Sequence, residues 1–366
     1  MRRSGIFAVA AATLVAFALG AALHPTRAPR STTPTLLAEV RAELATRYYR
    51  PVPQRVLAAQ SVDALLAALH DPYTRYLRAG ELRLARRVTR EGYSGVGLTL
   101  LPGEGGLLVA RTQPGPAQLA GIRPGDTVLA VDGESVAALP YEEALGRIVG
   151  KAGSLVELRV RRSHHTLTFR LVRKRFLAPS VHARLLPQRI GLIRIDRFSL
   201  RTGERTAAAA QWLESAGARG LVVDLRGNPG GLLSEAVGVS SLFLDRGATI
   251  ASLHGVHRRD RILYARGGAK SRLPLVVVVD AHSASAAEVV AGALRDHGRA
   301  LIVGAPTYGK SLVQEIDPLP SGGALKLTVA SYGTPAGDDI SHRGIRPTVA
   351  SAHPLRVALR LLADKT

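Results

Sequence analysis

The stretch LPLVVVVDAHSASAAEVVAGAL, residues 273–294, joins a strand pattern directly to a helix pattern. An uninterrupted apolar run ends at Asp280, and small residues then surround Ser283 and Ser285 before the helix pattern begins near Glu288. The spacing Ser-x-x-Glu is that of a capping box, so a helix cap is one interpretation of the serine. A nucleophilic serine at a helix N-terminus is the other interpretation, and this stretch alone does not decide between them.

The same alternation of strand and helix patterns continues from about residue 188 onward. It is typical of a largely parallel sheet that is covered by helices. The strand-like runs are IGLIRID, GLVVDLR, PLVVVVD and ALIVG, and the helix-like runs are TAAAAQWLESAG, LSEAVGVSSLFL and SAAEVVAGALRDH. We therefore predict a multi-domain α/β protein with a core domain over residues 176–350 and a C-terminal helical tail over 351–366.

The N-terminal part of the chain has three predicted pieces. Two arginines precede an uncharged apolar run, so residues 1–23 are expected to be a signal sequence or a single membrane anchor. The folded part is therefore expected on the periplasmic side of the cell envelope, either secreted or anchored by one span. A polar, Pro-bearing linker follows over 24–35. Apolar residues at helical spacing predict a helical segment over 36–92, with a turn at 70–77.

Residues 93–175 alternate short strand patterns with glycine turns, among them AGIRPGD and VDG. A Gly-Val-Gly-Leu loop at Gly95, Val96, Gly97 and Leu98 precedes a strand pattern, and this succession resembles a PDZ domain. Such a domain holds the carboxylate of a peptide C-terminus on backbone amides and adds the peptide to its sheet as a strand. Glycine suits this loop because the ligand approaches the backbone closely. The resemblance implies that these four residues bind the carboxylate of a protein tail.

The composition excludes several kinds of site. The 366 residues include no cysteine, which rules out disulfides, a thiolate nucleophile and cysteine-ligated zinc. His-Glu-x-x-His is absent and the histidines are scattered, so no metal site and no cofactor is predicted. The formal net charge of +21 favours anionic membrane surfaces or acidic partners. Nucleic-acid binding is not predicted, because the arginines are dispersed and few aromatic residues lie between them.

Two kinds of base are available to a nucleophilic Ser285. A Ser-His-Asp triad needs a histidine. Spacing does not exclude the four near this stretch, which are His254, His257, His282 and His297. A lysine acts as a base only when neutral, so burial must lower its pKa from about 10.4 to roughly 7–8. Only six of the 49 basic residues are lysine, and Lys310 follows a glycine between two strand patterns in VGAPTYGKSLVQEI.

Four segments resemble the carboxyl-terminal processing peptidases, which are also called tail-specific proteases. The segments are DLRGNPGGLL (224–233), SASAAEVVAGAL (283–294), VGAPTYGKSLVQ (303–314) and ALKLTVASYGTPAGDDISHRGIRP (324–347). The order of leader, helical segment, PDZ-like domain and core also fits that family. The resemblance covers roughly residues 36–350 and implies a crotonase-like or ClpP-like core with an inserted PDZ domain.

The resemblance assigns roles to individual residues. Ser285 matches the nucleophile of the family, Lys310 matches the base, and the family's separation of 25 positions is kept. Gln314 matches the residue that orients the lysine, and along an extended strand it would face the same side as Lys310. Gly231 and Ala286 match the backbone donors of the oxyanion hole. The resemblance thus implies a serine endopeptidase that recognises protein C-terminal tails and cleaves through a Ser-Lys dyad and an acyl-enzyme.

The chain departs from the usual family pattern at Gly227, Tyr308 and Thr348, where Asn, Phe and an acidic residue are common. Glu288 is expected to support the helix cap. Two alternatives stay open, namely a catalytically silent PDZ adaptor of the envelope and a PDZ-bearing serine protease with a histidine base. A homo-oligomer, an activating partner and attachment to a membrane through an uncleaved leader are all compatible with the sequence.

Overall fold

The structure is a computed structural model that describes residues 35–88, 93–176 and 179–364. The predicted leader and all but the last residue of the predicted linker lie outside these ranges. Within them, none of the helices combines the length and the apolar character that a crossing of the bilayer requires.

The described N-terminal segment is mostly helical and packs on the core through an apolar cluster. Its elements are α1 (Leu36–Arg47), α2 (Gln54–Leu57), α3 (Val62–Ala67), β1 (Arg75–Leu77) and α4 (Ala79–Val88). Val40 and Leu44 lie one helical turn apart on α1 and are fully buried. They belong to one cluster with Leu325 and Leu327 of the core, so this segment is anchored by hydrophobic packing.

The region with the predicted PDZ pattern is a sheet of antiparallel strands with two short helices. Its elements are β2 (Tyr93–Gly95), β3 (Leu98–Gly103), β4 (Gly106–Thr112), α5 (Pro116–Leu119), β5 (Thr127–Val131), β6 (Glu134–Ser135), α6 (Tyr141–Ile148), β7 (Leu155–Arg162), β8 (His165–Val172) and β9 (Lys174–Phe176). The strands follow the order β3-β4-β5-β7-β8, and β6 pairs with β5. β2 pairs with β9 where the chain enters and leaves the domain. In the described residues β3 is an edge strand, which a peptide strand can join.

The rest of the chain forms the core. Its elements are β10 (Val181–Leu186), a 3₁₀ turn (Pro187–Arg189), β11 (Ile190–Ile195), α7 (Thr202–Ser215), β12 (Gly220–Asp224), α8 (Leu233–Ser241), β13 (Thr249–Gly255), β14 (Arg258–Tyr264), β15 (Leu275–Val279), α9 (Ala286–Asp296), β16 (Leu301–Gly304), β17 (Leu312–Pro318), β18 (Ala324–Gly333), β19 (Val349–Ala350) and α10 (Pro354–Ala363). One sheet has the order β10-β11-β12-β15-β16-β19, in which the β10–β11 pair is antiparallel and the other pairs are parallel. The prediction of a helix-covered, mostly parallel core is confirmed.

The central strands of this sheet are buried on both faces, which explains why their sequences are continuously apolar. All residues of β12 and β15 are buried. Val223 belongs to the cluster formed with α7, α8 and α9 on one face, and Val222 belongs to the cluster on the other face. Ala358 and Leu362 of α10 complete that second cluster, so the predicted C-terminal tail contains a helix that covers the core sheet.

A second, antiparallel sheet was not anticipated from the sequence. β18 pairs with β17 along one side and with β1 and β13 along the other, and β13 pairs with β14. Arg258 of β14 forms a bidentate ion pair with Glu315 of β17, with N–O distances of 2.8 and 2.7 Å. The N-terminal segment contributes β1 to this sheet, and this brings the turn at residues 70–74 against the core.

Candidate active site

Ser285 lies in a tight turn between β15 and α9, which we call the serine turn (residues 283–286). Its φ of +55° and ψ of −115° form a combination that residues other than glycine seldom adopt. α9 begins at the next residue, so the positive end of the helix dipole lies at the serine. Ser283 is fully buried and its hydroxyl donates to the carbonyl oxygen of Leu225 at 2.8 Å. Ser283 therefore stabilises the turn, and Ser285 is the partly exposed serine of the pair.

Glu288 is fully buried and connects the serine turn to the loop before β17, which we call the lysine loop (residues 305–311). Its carboxylate accepts hydrogen bonds from the N–H groups of Ser285 (2.7 Å), Gly309 (2.7 Å) and Lys310 (2.9 Å) and from the hydroxyl of Thr307 (2.6 Å). A buried carboxylate needs such donors because it has lost its water. Glu288 supports the helix cap as expected, and it also holds the backbones of Ser285 and Lys310 in one arrangement.

Tyr332 of β18 reaches the same two backbones. Its hydroxyl lies 3.0 Å from the carbonyl oxygen of Ser285 and 2.7 Å from that of Lys310. Burial raises the pKa of Tyr332 above its ordinary value, so the phenol keeps its proton and donates. The sequence patterns did not single out Tyr332, because a tyrosine in an apolar strand pattern gives no sign of what its hydroxyl contacts.

The backbone amides of Gly231 and Ala286 lack an acceptor within the described residues. Gly230 packs directly on the serine turn, since a Cβ there would lie 2.9 Å from the Cβ of Ser285 and 3.0 Å from the nitrogen of Ala286. The backbone carbonyl of Asn228 accepts an N–H from the serine turn at 2.9 Å and so holds the glycine segment in place. Unpaired amides beside a serine hydroxyl are what an oxyanion hole requires.

Lys310 is partly buried in the lysine loop. Its Nζ lies over the ring of Tyr73, 4.5 Å from the ring centroid. Burial, assisted by the positive charge of Lys326, lowers the pKa of Lys310 to about 8. The carboxylates of Asp71 and Glu288 act in the opposite direction. The net effect is a lowered pKa, and a lysine needs a lowered pKa in order to act as a base near neutral pH.

The side chains of the predicted dyad are not hydrogen-bonded to each other in the described part of the chain. Ser285 and Lys310 are connected through their backbones, both of which bond to the carboxylate of Glu288. β17 begins at Leu312, and its pairing with β18 shifts between Val313 and Gln314, so the predicted regular alternation from Lys310 to Gln314 is not kept. The Nε2 atom of Gln314 is buried and has no hydrogen-bond partner. The structure thus brings Ser285 and Lys310 into one site and leaves Gln314 with an unused donor.

None of the four histidines considered above is hydrogen-bonded to Ser285 within the described residues. On the β13–β14 hairpin, Nδ1 of His254 lies 2.9 Å from Asp260 and Nε2 lies 3.0 Å from the hydroxyl of Ser252. His297 contacts a backbone carbonyl of β13 at 2.7 Å. His257 and His282 are exposed. None of these four histidines is therefore placed as a base for Ser285 in the part of the chain that the structure describes.

The loop predicted to bind a terminal carboxylate also contains amides without acceptors. Gly95 ends β2 and Leu98 begins β3, and Val96 and Gly97 lie between them. The N–H groups of Val96 and Gly97 have no acceptor within the described ranges, whereas their carbonyls accept bonds of 3.0 and 2.9 Å. Gly97 has a φ of +85°, and a Cβ there would lie 2.8 Å from the ring of Phe176. This position therefore requires glycine.

The edge strand β3 and the helix α6 are joined by a hydrogen bond. The hydroxyl of Tyr141 donates to the carbonyl oxygen of Leu100 on β3 at 2.6 Å. α6 also packs on α4 of the N-terminal segment, where the carboxylate of Glu143 accepts from the N–H of Gly80 at 3.0 Å. The side chain of Arg83 donates to a backbone carbonyl of α6 at 2.8 Å. α6 is thus bonded both to the edge strand and to the N-terminal segment, which also carries Tyr73.

Comparison with known proteins agrees with this architecture. Residues 189–351 match the model of peptidase family S41, and residues 108–162 match that of a PDZ domain. The carboxyl-terminal-processing protease of Picosynechococcus sp. is 36% identical over 321 residues, which cover 85% of this chain and 77% of that protein. The carboxy-terminal processing protease CtpA of Bacillus subtilis is 32% identical over 322 residues, which cover 87% and 69% of the two chains.

A solved structure supports the same relationship. The photosystem II D1 C-terminal processing protease is 31% identical to this chain with a TM-score of 0.57, and the match covers 90% of this chain and 96% of the other. These relatives, the S41 match and the PDZ match together show that the chain is a serine-type peptidase of the carboxyl-terminal processing protease family, with a PDZ domain.

Proposed function

We propose that the protein is an endopeptidase in which Ser285 is the nucleophile and neutral Lys310 is its general base. The observation that carries the proposal is the buried carboxylate of Glu288, which bonds to the backbones of both residues. The lowered pKa of Lys310 favours lysine as the base. Arginine cannot take this role, because its pKa stays above about 12.

In the proposed acylation step, Lys310 removes the proton of the Ser285 hydroxyl and Oγ attacks the carbonyl carbon of a substrate peptide. A bond forms between Oγ and carbon, and the carbonyl electron pair becomes an oxyanion that accepts from the amides of Gly231 and Ala286. The intermediate then collapses. The bond between carbon and nitrogen breaks, and the Lys310 ammonium returns its proton to the leaving amine.

In the proposed deacylation step, water takes the place of the departed amine. Lys310 removes one proton from this water, and the hydroxide attacks the acyl carbon while the same two amides hold the oxyanion. The bond between carbon and Oγ breaks, and Ser285 recovers its proton from Lys310. The enzyme is then restored, and a peptide with a new carboxylate is released.

The proposed chemistry requires the amine of Lys310 to leave the ring of Tyr73 and reach Ser285. The four-carbon stem of lysine allows such a rotation, and catalytic hydrogen bonds are often formed only in the substrate complex. We assign Gln314 as a positioning residue, because its amide oxygen can accept an amine N–H and leave the nitrogen lone pair directed at the serine. The buried Nε2 of Gln314 has no hydrogen-bond partner, and this supports a side chain that forms its remaining hydrogen bonds when substrate binds.

We further propose that the PDZ domain, assigned to residues 93–175, recruits the C-terminal tails of protein substrates. The amides of the loop Gly95–Leu98 would hold the terminal carboxylate, and the tail would pair with the edge of β3. The two amides without acceptors, at Val96 and Gly97, support this assignment. The boundaries of the other domains remain predictions made from the sequence.

The apolar run behind Arg2 and Arg3 supports a location outside the cytoplasm. A fusion of residues 1–35 to alkaline phosphatase tests this proposal, because the reporter is active only after export. An inactive fusion would contradict it. Gel mobility of the mature protein distinguishes a cleaved leader from an anchor.

Incubation with an unfolded protein that has an apolar C-terminus tests the proposed function. Wild type should cleave it, and mass spectrometry should identify the products. Ser285→Ala should abolish cleavage and still bind the tail, while the exposed-serine control Ser215→Ala should retain wild-type activity. Lys310→Arg should be inactive although the positive charge is kept. Wild-type cleavage by Ser285→Ala or by Lys310→Arg would refute the assignment of that residue. A complete absence of cleavage by wild type would favour the silent adaptor.

A further inference from the structure

A pocket of about 330 Å³ lies between α8, the β13–β14 hairpin and β17. Its apolar lining includes Leu233, Val237, Leu253, Leu263, Val313 and Val329. Its basic lining consists of Arg258, Arg259, Arg261 and Arg266. The pocket therefore combines an apolar interior with a concentration of positive charge.

Two lining residues of the pocket lie close in sequence to residues of the candidate active site. Leu233 lies two positions after Gly231, whose amide is assigned to the oxyanion hole. Gln314 also lines the pocket and lies four positions after Lys310. Because an extended peptide advances about 3.3 Å per residue, substrate residues close to the cleaved bond are within reach of this pocket.

Most of the positive charge in the pocket is not neutralised by the protein itself. Arg258 is paired with Glu315, which also accepts from Arg47. Asp260 of the same hairpin is paired with His254. The other three arginines of the pocket have no carboxylate partner in the part of the chain that the structure describes.

The orientation of β14 directs two of these arginines toward the pocket. Side chains alternate along the regular part of β14, so Arg261 shares a face with Leu263, which is partly buried against the core. The pairing with β13 shifts between Arg261 and Arg258, and both Arg259 and Arg261 line the pocket. Ile262 and Tyr264 occupy the opposite face and are each 49% exposed. Arg259 and Arg261 therefore line the pocket together with apolar side chains.

We propose that this pocket binds an acidic segment of the peptide substrate next to the cleaved bond. An apolar substrate side chain would occupy the interior, and a substrate carboxylate would pair with Arg259, Arg261 and Arg266. Arginine suits this role because its planar guanidinium binds a carboxylate in a bidentate manner. The proposal rests on the proposed function, since it requires the peptide to lie across Ser285 and Lys310.

A matched set of peptides tests the proposal and identifies the source of the carboxylate. Each peptide contains the same cleaved sequence, with Glu or Gln at successive positions on either side of the bond and with a free or amidated C-terminus. Three charge contacts at a partly exposed site should favour an acidic peptide about tenfold in kcat/KM, mainly through KM. The preference should fall as sodium chloride is raised from about 50 to 500 mM, because salt screens exposed charges.

The variant that removes the charges is Arg259→Gln/Arg261→Gln/Arg266→Gln, and its ratio of acidic to neutral kcat/KM should fall to about one. A matched control, Arg356→Gln/Arg360→Gln, removes two exposed arginines of α10 and should keep the wild-type ratio. If wild type cleaves acidic and neutral peptides equally, or if the triple variant keeps its preference, the proposal is wrong.

A binding measurement separates this proposal from the proposed function. The acidic and neutral peptides are titrated by fluorescence anisotropy against Ser285→Ala with the pocket intact and with the three arginine substitutions added. Preferential binding of the acidic peptide that is lost with those substitutions supports the pocket even if no turnover is seen. Equal binding of both peptides overturns the proposal even if the Ser-Lys mechanism is established.

Discussion

The pH dependence of turnover follows from the environment of Lys310. With a pKa of about 8, about 9% of the amine is neutral at pH 7 and about 91% at pH 9. If the neutral amine is the base, kcat/KM should rise about tenfold between these pH values and then level off, because kcat/KM reports the ionisations of the free enzyme. An unshifted lysine, with a pKa of about 10.4, would instead give a continued tenfold rise per pH unit through pH 9.

The assay is hydrolysis of a fluorogenic peptide without titratable side chains, measured at constant ionic strength from pH 6 to 10. Circular dichroism at each pH verifies that the enzyme stays folded. A profile that is flat between pH 7 and 9 would refute the assignment of Lys310, as would an inflection near 6.5, where histidine titrates.

The same shift has a consequence for stability that does not depend on activity. The pKa of Lys310 is lower in the folded than in the unfolded chain, so burial of its ammonium is unfavourable below pH 8. This cost decreases as the pH rises from about 8 to 10.5 and is absent above both pKa values. The full shift corresponds to about 3 kcal/mol, and partial exposure and the lost contact with Tyr73 reduce the expected gain to about 1–2 kcal/mol.

Lys310→Met should therefore be inactive and more stable than wild type at pH 7, with a smaller difference at pH 10. Urea denaturation at the two pH values measures this difference. A variant that is less stable than wild type at pH 7 would contradict the assigned cause of the pKa shift.

Three further substitutions test separate parts of the site. Glu288→Gln should lower the free energy of unfolding by about 3 kcal/mol and reduce kcat at least tenfold, because an amide cannot accept all four hydrogen bonds; unchanged urea denaturation and kcat would contradict this role. Gly230→Ala should reduce kcat about 100-fold by displacing the serine turn. Gly247→Ala, also at positive φ but in open space, should leave kcat unchanged, and equal kcat values for the two variants would refute the contact. Tyr141→Phe should tighten binding of a tail peptide to the PDZ domain about threefold by freeing the carbonyl of Leu100, as measured by calorimetry; weaker binding would show that the hydroxyl contributes to peptide binding.

The parallel core could be predicted because its strands are buried on both faces. The continuous apolar runs of β12 and β15 express that burial directly, and each is followed by a glycine or serine turn. The distinction between Ser283 and Ser285 came from the resemblance to a family. The local pattern could not provide it, because both serines are surrounded by small residues and only the fold buries one hydroxyl against the carbonyl of Leu225.

The antiparallel sheet and the surroundings of Lys310 could not be predicted from local pattern. β1 pairs with β18 across about 250 positions, with Arg75 opposite Lys326. The turn at residues 70–74 thereby comes to the lysine loop, with Tyr73 under the amine of Lys310. Asp71 bonds to the hydroxyl of Thr328 at 2.7 Å, which fixes that turn on β18. Such contacts depend on which distant strands pair, and the sequence of a short turn carries no sign of its partner.

Rapid acid quench of a single turnover, followed by peptide mapping, tests the central claim most directly. An ester substrate that acylates faster than it deacylates should leave its acyl group on the peptide containing Ser285 within the first turnover. Acylation should rise with pH with a pKa near 8 and be absent in Lys310→Met. An acyl group on another residue, or acylation of Ser285 at the wild-type rate without Lys310, would contradict the account.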